Sequence, residues 1–165
     1  MSRMSMMRVH QSCFQAMLYS VCLIFSSCIG TARLTDLPKS AADVDFTKYS
    51  DEMNKNKTPF WTFETANEYY IEKSQTVNDT VLFSIIEKAL VEKGYKIKSS
   101  DRENKAVIAK RGLRFNEWSS VTGVYYNISA DKTQIYISTH ITQDATGGVR
   151  NNIAKKVGLI IESNL

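Results

Sequence analysis

NDTVLFSIIEKALVEKGYKIKSSDRENKAVIAKR, residues 78–111, changes its apolar period partway along, and that change decides the fold. Val81, Leu82, Ile85, Ile86, Ala89 and Leu90 recur at spacings of one, three and four, which predicts an amphipathic helix with one apolar stripe. Asn78 or Asp79 offers the N-cap, and Gly94 stands just past the last turn, where a left-handed residue ends a helix. From Tyr95 onward the period becomes two. Tyr95 and Ile97 alternate with Lys96 and Lys98, Ser100 to Asn104 form a polar turn, and Ala106 to Ala109 make a short apolar run.

The same reading extends in both directions. Upstream, Trp61 and Phe63 alternate with Thr62 and Glu64, and Tyr69 and Ile71 continue an extended pattern. Downstream, Val124, Tyr126 and Ile128 share one face of a strand, and Ile135, Ile137, Thr139 and Ile141 share one face of the next. Ala130 to Thr133 are few enough to join these two as an antiparallel hairpin. Gly147-Gly148 breaks the chain before a second stripe at Val149, Ile153, Val157, Ile160 and Ile161. The expected order is β-α-β-β-β-β-α. This is an α+β fold, with an antiparallel sheet of four to five strands and two helices packed on one face.

The N-terminus has a different character. Arg3 and Arg8 precede an apolar run from Phe14 to Phe25, and no acid occurs before Asp36. A twelve-residue apolar helix rises only about 18 Å, short of a hydrocarbon core of roughly 30 Å, so residues 1–27 read as a signal peptide. All three cysteines, Cys13, Cys22 and Cys28, fall within the first 28 residues. A domain without later cysteines must hold together by its core. Residues 28–59 contain both prolines, Pro38 and Pro59, and no sustained apolar period. They read as a lipidated N-terminus and flexible tether, with a short helical turn near Val44 to Tyr49, spanning about 30 Å r.m.s.. Residues 60–165 read as a single periplasmic domain.

Composition narrows the function classes. Apolar residues at 43% and charged residues at 23% suit a globular chain and exclude wholesale disorder. From Cys28 onward there are 19 basic and 17 acidic residues, so the excess is only +2 and gives little support for a polyanion partner. His140 is the sole histidine beyond Cys28 and reads as a solvent-facing strand residue without clustered metal ligands. Gly147-Gly148 lacks the lysine and hydroxyl residue of a phosphate loop. No metal or cofactor is expected. The densest basic zone runs from Lys96 and Lys98 through Arg102 and Lys105 to Lys110, Arg111 and Arg114, with Phe115 and Trp118 beside it. Basic residues interleaved with aromatics can bind nucleic acid, but an exported chain meets none, so anionic lipid or glycan is the alternative ligand class. The segment RGLRFNEWSS, residues 111–120, is either a contact loop or strand core. Lys110, Arg111, Arg114, Phe115 and Trp118 are therefore the candidate partner or anion contact.

Phe25-Ser26-Ser27-Cys28 resembles the bacterial lipobox, in which an apolar residue and two small residues precede the cysteine. The resemblance implies cleavage before Cys28 and lipidation of that cysteine, with membrane attachment through the lipid. Ile29 stands where many inner-membrane lipoproteins carry Asp, and the same resemblance then implies the outer membrane, with the domain facing the periplasm. The Phe60-Trp61-Thr62-Phe63 lead-in and Ala89 to Arg111 resemble the small α/β domains of BamC-like envelope lipoproteins. That resemblance implies a non-catalytic scaffold or accessory subunit of an envelope assembly or secretion machine, with an envelope protein as partner. A binding module for anionic lipid or glycan is the alternative.

Overall fold

A computed structural model describes residues 32–47, 65–112, 119–141 and 153–165. Among the described residues, five strands and two helices follow in the expected order: β1 (Thr65–Lys73), α1 (Asp79–Glu92), β2 (Lys96–Asp101), β3 (Ala106–Arg111), β4 (Ser120–Ile128), β5 (Thr133–Ile141) and α2 (Ile153–Ser163). The sheet runs β1-β5-β4-β3-β2, with every neighbouring pair antiparallel. The fold is α+β, as the period change predicts. Among the described residues, no helix is long and apolar enough to cross a membrane.

Helix α1 begins where its cap requires. The Asn78 side chain accepts from the amides of Thr80 and Val81 at 3.0 and 3.2 Å. At the other end Gly94 adopts φ 79°, its amide donates to Val91 at 2.8 Å, and the Tyr95 amide donates to Leu90 at 3.0 Å. This paired closure needs a left-handed residue, and glycine meets that need without a Cβ penalty. Leu82, Ile86, Ala89 and Leu90 are buried. Ile85 is only half-buried and Val81 is exposed, so the apolar stripe is narrower than the sequence suggests.

Both helices lie on one face of the sheet. Their buried residues join Ile71, Val107, Ala109, Val124, Tyr126, Ile135, Ile137 and Ile141 in one core. Gly158 of α2 lets the helix approach Tyr69, whose ring an added methyl would overlap. Polar residues on this face pair before they are buried. The Thr122 and Thr139 hydroxyls meet at 2.8 Å, and those of Tyr95 and Ser120 at 3.0 Å.

The opposite face, called here the outer face, is covered by the N-terminal segment. Ala32, Leu37 and Val44 are 5–8% exposed. Ala32 and Leu37 pack on Val121 and Ile108, and Val44 packs with Ala41 and Phe46 on Ala106, Tyr125 and Tyr136. Residues 32–47 are thus an arm lying lengthwise along the sheet, which corrects the flexible tether expected there, while the rest of the expected tether, residues 28–31 and 48–59, lies outside the described residues. The domain accordingly extends upstream of residue 60. Phe60 to Phe63, read as the lead-in strand, lie outside the described residues.

The arm folds by local polar capping. Asp36 accepts from the Arg33 amide at 2.9 Å and closes a 3-10 turn over Leu34–Asp36. Asp43 accepts from the Ser40 amide and hydroxyl, each at 3.0 Å, around a second turn over Ala41–Asp43. A described 3-10 turn covers Ala41–Asp43, and residues 48 and 49 of the helical turn expected near Val44 to Tyr49 lie outside the described residues. Short Asp and Ser side chains satisfy backbone groups that no helix or strand ladder takes up.

Candidate functional site: the outer face of the sheet

The strand register places the outer-face side chains in rows. One row crosses β1, β5, β4 and β3 as Tyr70, Tyr136, Tyr125 and Ala106. The Tyr125 and Tyr136 rings stack with centroids 6.0 Å apart and planes 27° from parallel. Tyr125 leans along its own strand over Gly123, leaving no space there for a Cβ. Its hydroxyl donates to the Pro38 carbonyl of the arm at 2.6 Å. Burial, and then the nearby Asp43 carboxylate, holds the Tyr125 phenol well above its ordinary pKa.

Beside this row is a polar network on the β1 edge. The Tyr136 hydroxyl donates to Glu68. Tyr70 donates to Glu72 at 2.8 Å, and the Gln134 amide reaches both Tyr70 and Glu72 at 2.7 and 2.8 Å. Lys132 completes the set with an ion pair to Glu72 at 3.3 Å. The hydrogen bonds from Tyr70 and Gln134 hold Glu72 below the usual carboxylate range. Burial and the Glu72 carboxylate push Tyr70 up to about 12. A carboxylate made more acidic and a phenol made less acidic are both poorly suited to proton transfer near neutrality. The network binds β1 to β5.

Where the arm meets the β2–β3 turn there is an open cleft of about 390 Å³. Ala41, Val44 and Phe46 line one side, and Glu103, Asn104 and Lys105 the other. The Ala41 amide donates to the Asn104 carbonyl at 2.9 Å and ties the arm to the turn. Lys105 has φ 51°, in the left-handed region. Asp101 caps the same turn by accepting from the Asn104 amide and side chain, which lowers its pKa.

Of the residues singled out from sequence as a contact, Lys110 and Arg111 are described, and they face opposite sides of the sheet. Cys28, Arg114, Phe115 and Trp118 lie outside the described residues. Lys110 is on the outer face, in register with Lys96 and Val121. Arg111, one residue on, turns to the helix face. Its guanidinium donates to the Lys93 carbonyl at 3.0 Å and sits 4.7 Å from the Tyr95 ring centroid. That is a cation-π contact beside the end of α1. Arg111 is therefore committed to the fold, which corrects its pairing with Lys110 as a joint contact.

The basic zone also divides by position. Arg102 lies at the far turn and pairs with Asp79 at 3.1 Å, and Lys105 is in the same turn. Lys96, Lys98 and Lys110 remain together at the opposite end. His140 is half-buried on the outer face, in register with Val121. The arm's place on this face follows from no sustained apolar period in the sequence. Its one legible signal was Ser40-Ala41-Ala42-Asp43, a capping pattern in miniature.

No family model matches the sequence, and no curated protein does. Among solved structures, the crystal structure of Ara h 8.0201 is similar at 11% identity and a TM-score of 0.39, covering 60% of this chain and 97% of that one. Truncated norcoclaurine synthase from Thalictrum flavum is similar at 8% identity and a TM-score of 0.43, covering 61% of this chain and 90% of that one. Neither likeness carries an activity over to this chain.

Proposed function

We propose that this chain is a non-catalytic, lipid-anchored accessory subunit of a bacterial envelope machine, attached to the outer membrane through Cys28 and facing the periplasm. The reading begins with Phe25-Ser26-Ser27-Cys28 behind a basic and then apolar N-terminus. The observation that carries it is the docked arm. Ala32, four residues after Cys28, is already buried on Val121. Four residues of extended chain span at most about 14 Å. An acylated Cys28 would therefore hold the domain close to the headgroups in a restricted orientation, rather than on a 30 Å leash. Restricted orientation is useful to a subunit that must present one surface to a membrane-bound partner. The polar groups of the outer face support the same reading, because they brace strands and arm against each other.

The anchor is tested by metabolic labelling with an alkyne fatty acid. The wild-type chain should take up label and Cys28→Ala should not. Label persisting on Cys28→Ala would overturn the assignment. Crosslinking of intact membranes followed by purification should recover a stoichiometric envelope protein. Recovery of lipid or glycan alone would overturn the accessory-subunit role.

A further inference from the structure

We propose that the corner formed by the start of β2 and the end of β3 is a contact surface for anionic phospholipid, applied to the bilayer by the Cys28 anchor. The proposal rests on the anchor reading and adds a second, electrostatic attachment to it. Lys96 and Lys110 are cross-strand partners on β2 and β3. Like charges placed directly opposite each other in a sheet repel. Among the described residues neither lysine has an ion-pair partner, whereas Lys73, Arg102 and Lys132 each have one. Exposed Lys98 follows on the same strand. In the chain, Lys93 precedes Lys96 by three residues, and Arg33 follows Ala32, which packs in one cluster with Val121, the register partner of Lys110. The acids close by in sequence are Glu92, Asp36 and Glu117; Asp36 is occupied by the Arg33 amide, and Glu117 lies outside the described residues.

The location matters as much as the charge. The arm runs from Ala32 on Val121 to Ala41 at the Asn104 turn. Val121 is the register partner of Lys110, so the arm's upstream end, nearest Cys28 in the chain, lies on the strand beside this lysine. A lipid on Cys28 would bring the Lys96–Lys110 corner, and not the turn with Arg102 and Lys105, to the surface first. Lysines near an anionic bilayer attract it within about a Debye length, close to 10 Å at moderate salt. The lipid holds the chain at the membrane, and a basic patch beside it orients the domain on an anionic surface.

The test uses the mature lipidated chain in vesicles of phosphatidylcholine alone, or of two parts phosphatidylcholine to one part phosphatidylglycerol. After acylation of Cys28, a fluorophore on Ser99→Cys occupies the sole reactive thiol. Lipids with a headgroup-level quencher then report how close that corner lies. Quenching should be stronger on the phosphatidylglycerol vesicles, and the difference should vanish in high salt. In the background of Lys96→Gln with Lys110→Gln, the membrane-facing population should fall by about thirtyfold, at about fivefold per lysine. A probe on Ala130→Cys, in the β4–β5 turn at the other end of the sheet, should gain no quenching on phosphatidylglycerol. Equal quenching of the Ser99→Cys probe on both vesicles, or no effect of the double variant, overturns the proposal. Loss of the wild-type chain from both vesicles after washing overturns the anchor reading, and with it the placement of this corner.

Discussion

The two faces of the sheet bury comparable apolar residues by different means. On the helix face, Leu82, Ile86, Val157 and Ile161 come from regular helices and meet Val124, Ile135 and Ile137 on the strands. On the outer face, Val121, Tyr125 and Tyr136 are covered by an irregular arm that contributes single residues, Ala32, Leu37 and Val44. One face is closed by periodic packing, the other by a few anchors with hydrogen bonds between them. Helix-face changes should therefore weaken the whole fold, and arm changes should act locally.

The largest expected effect is on the helix face. Ile86→Ala, at a fully buried position, should lower unfolding free energy by about 2–5 kcal/mol in urea melts. Ile85→Ala, half-buried on the same helix, should cost clearly less. Equal costs would show that the stripe is wider than the structure has it. On the outer face, Leu37→Ala should cost about 1–3 kcal/mol, the share of a single apolar side chain. It should also increase proteolysis within residues 32–47 while leaving the helix-face core intact. A full cooperative loss of structure from Leu37→Ala would erase the distinction between the faces.

Acid should act on the outer face first. Glu72 has a folded-state pKa below its ordinary 4.5, so its stabilisation is complete above that value. It is lost as pH falls through the lower folded value. Glu72→Gln should therefore show a shallower fall in urea midpoint than wild type between neutrality and pH 3, a range that spans that ordinary value of 4.5. Identical profiles would remove Glu72 from the account. The smallest effect concerns the lysine pair. Relief of repulsion in Lys96→Gln should raise stability by about 0.2–0.5 kcal/mol at low salt.

These contrasts also explain what could be read in the sequence. The helix face was legible because its contributors recur at periods of 3.6 and 2, from Leu82 to Leu90 and from Ile135 to Ile141. The arm was not, because Ala32, Leu37 and Val44 follow no period and are held by side-chain caps. A clue stood in β4. SVTGVYYNI carries apolar residues at both parities, Val121 and Tyr125 as well as Val124 and Tyr126, the mark of a strand buried on two faces. Alternation with Val124 and Ile128 places Tyr126 on one face, and the same pattern leaves Tyr125 for the other. The candidate site was legible only in part. Lys110 and Arg111 are consecutive in a strand, so alternation alone separates them. The Arg111 contact with the end of α1 depends on tertiary placement that no local pattern reports.

The central claim is that residues 32–47 belong to the folded domain. Amide hydrogen exchange on the full chain tests it most directly through Ala41, whose N–H is bonded to the Asn104 carbonyl across the outer face. The account predicts that this amide is protected in the wild-type chain and loses protection in Leu37→Asp, while the amides of β4 and β5 stay protected. An Ala41 amide that exchanges at the open-chain rate in the wild-type protein would contradict it.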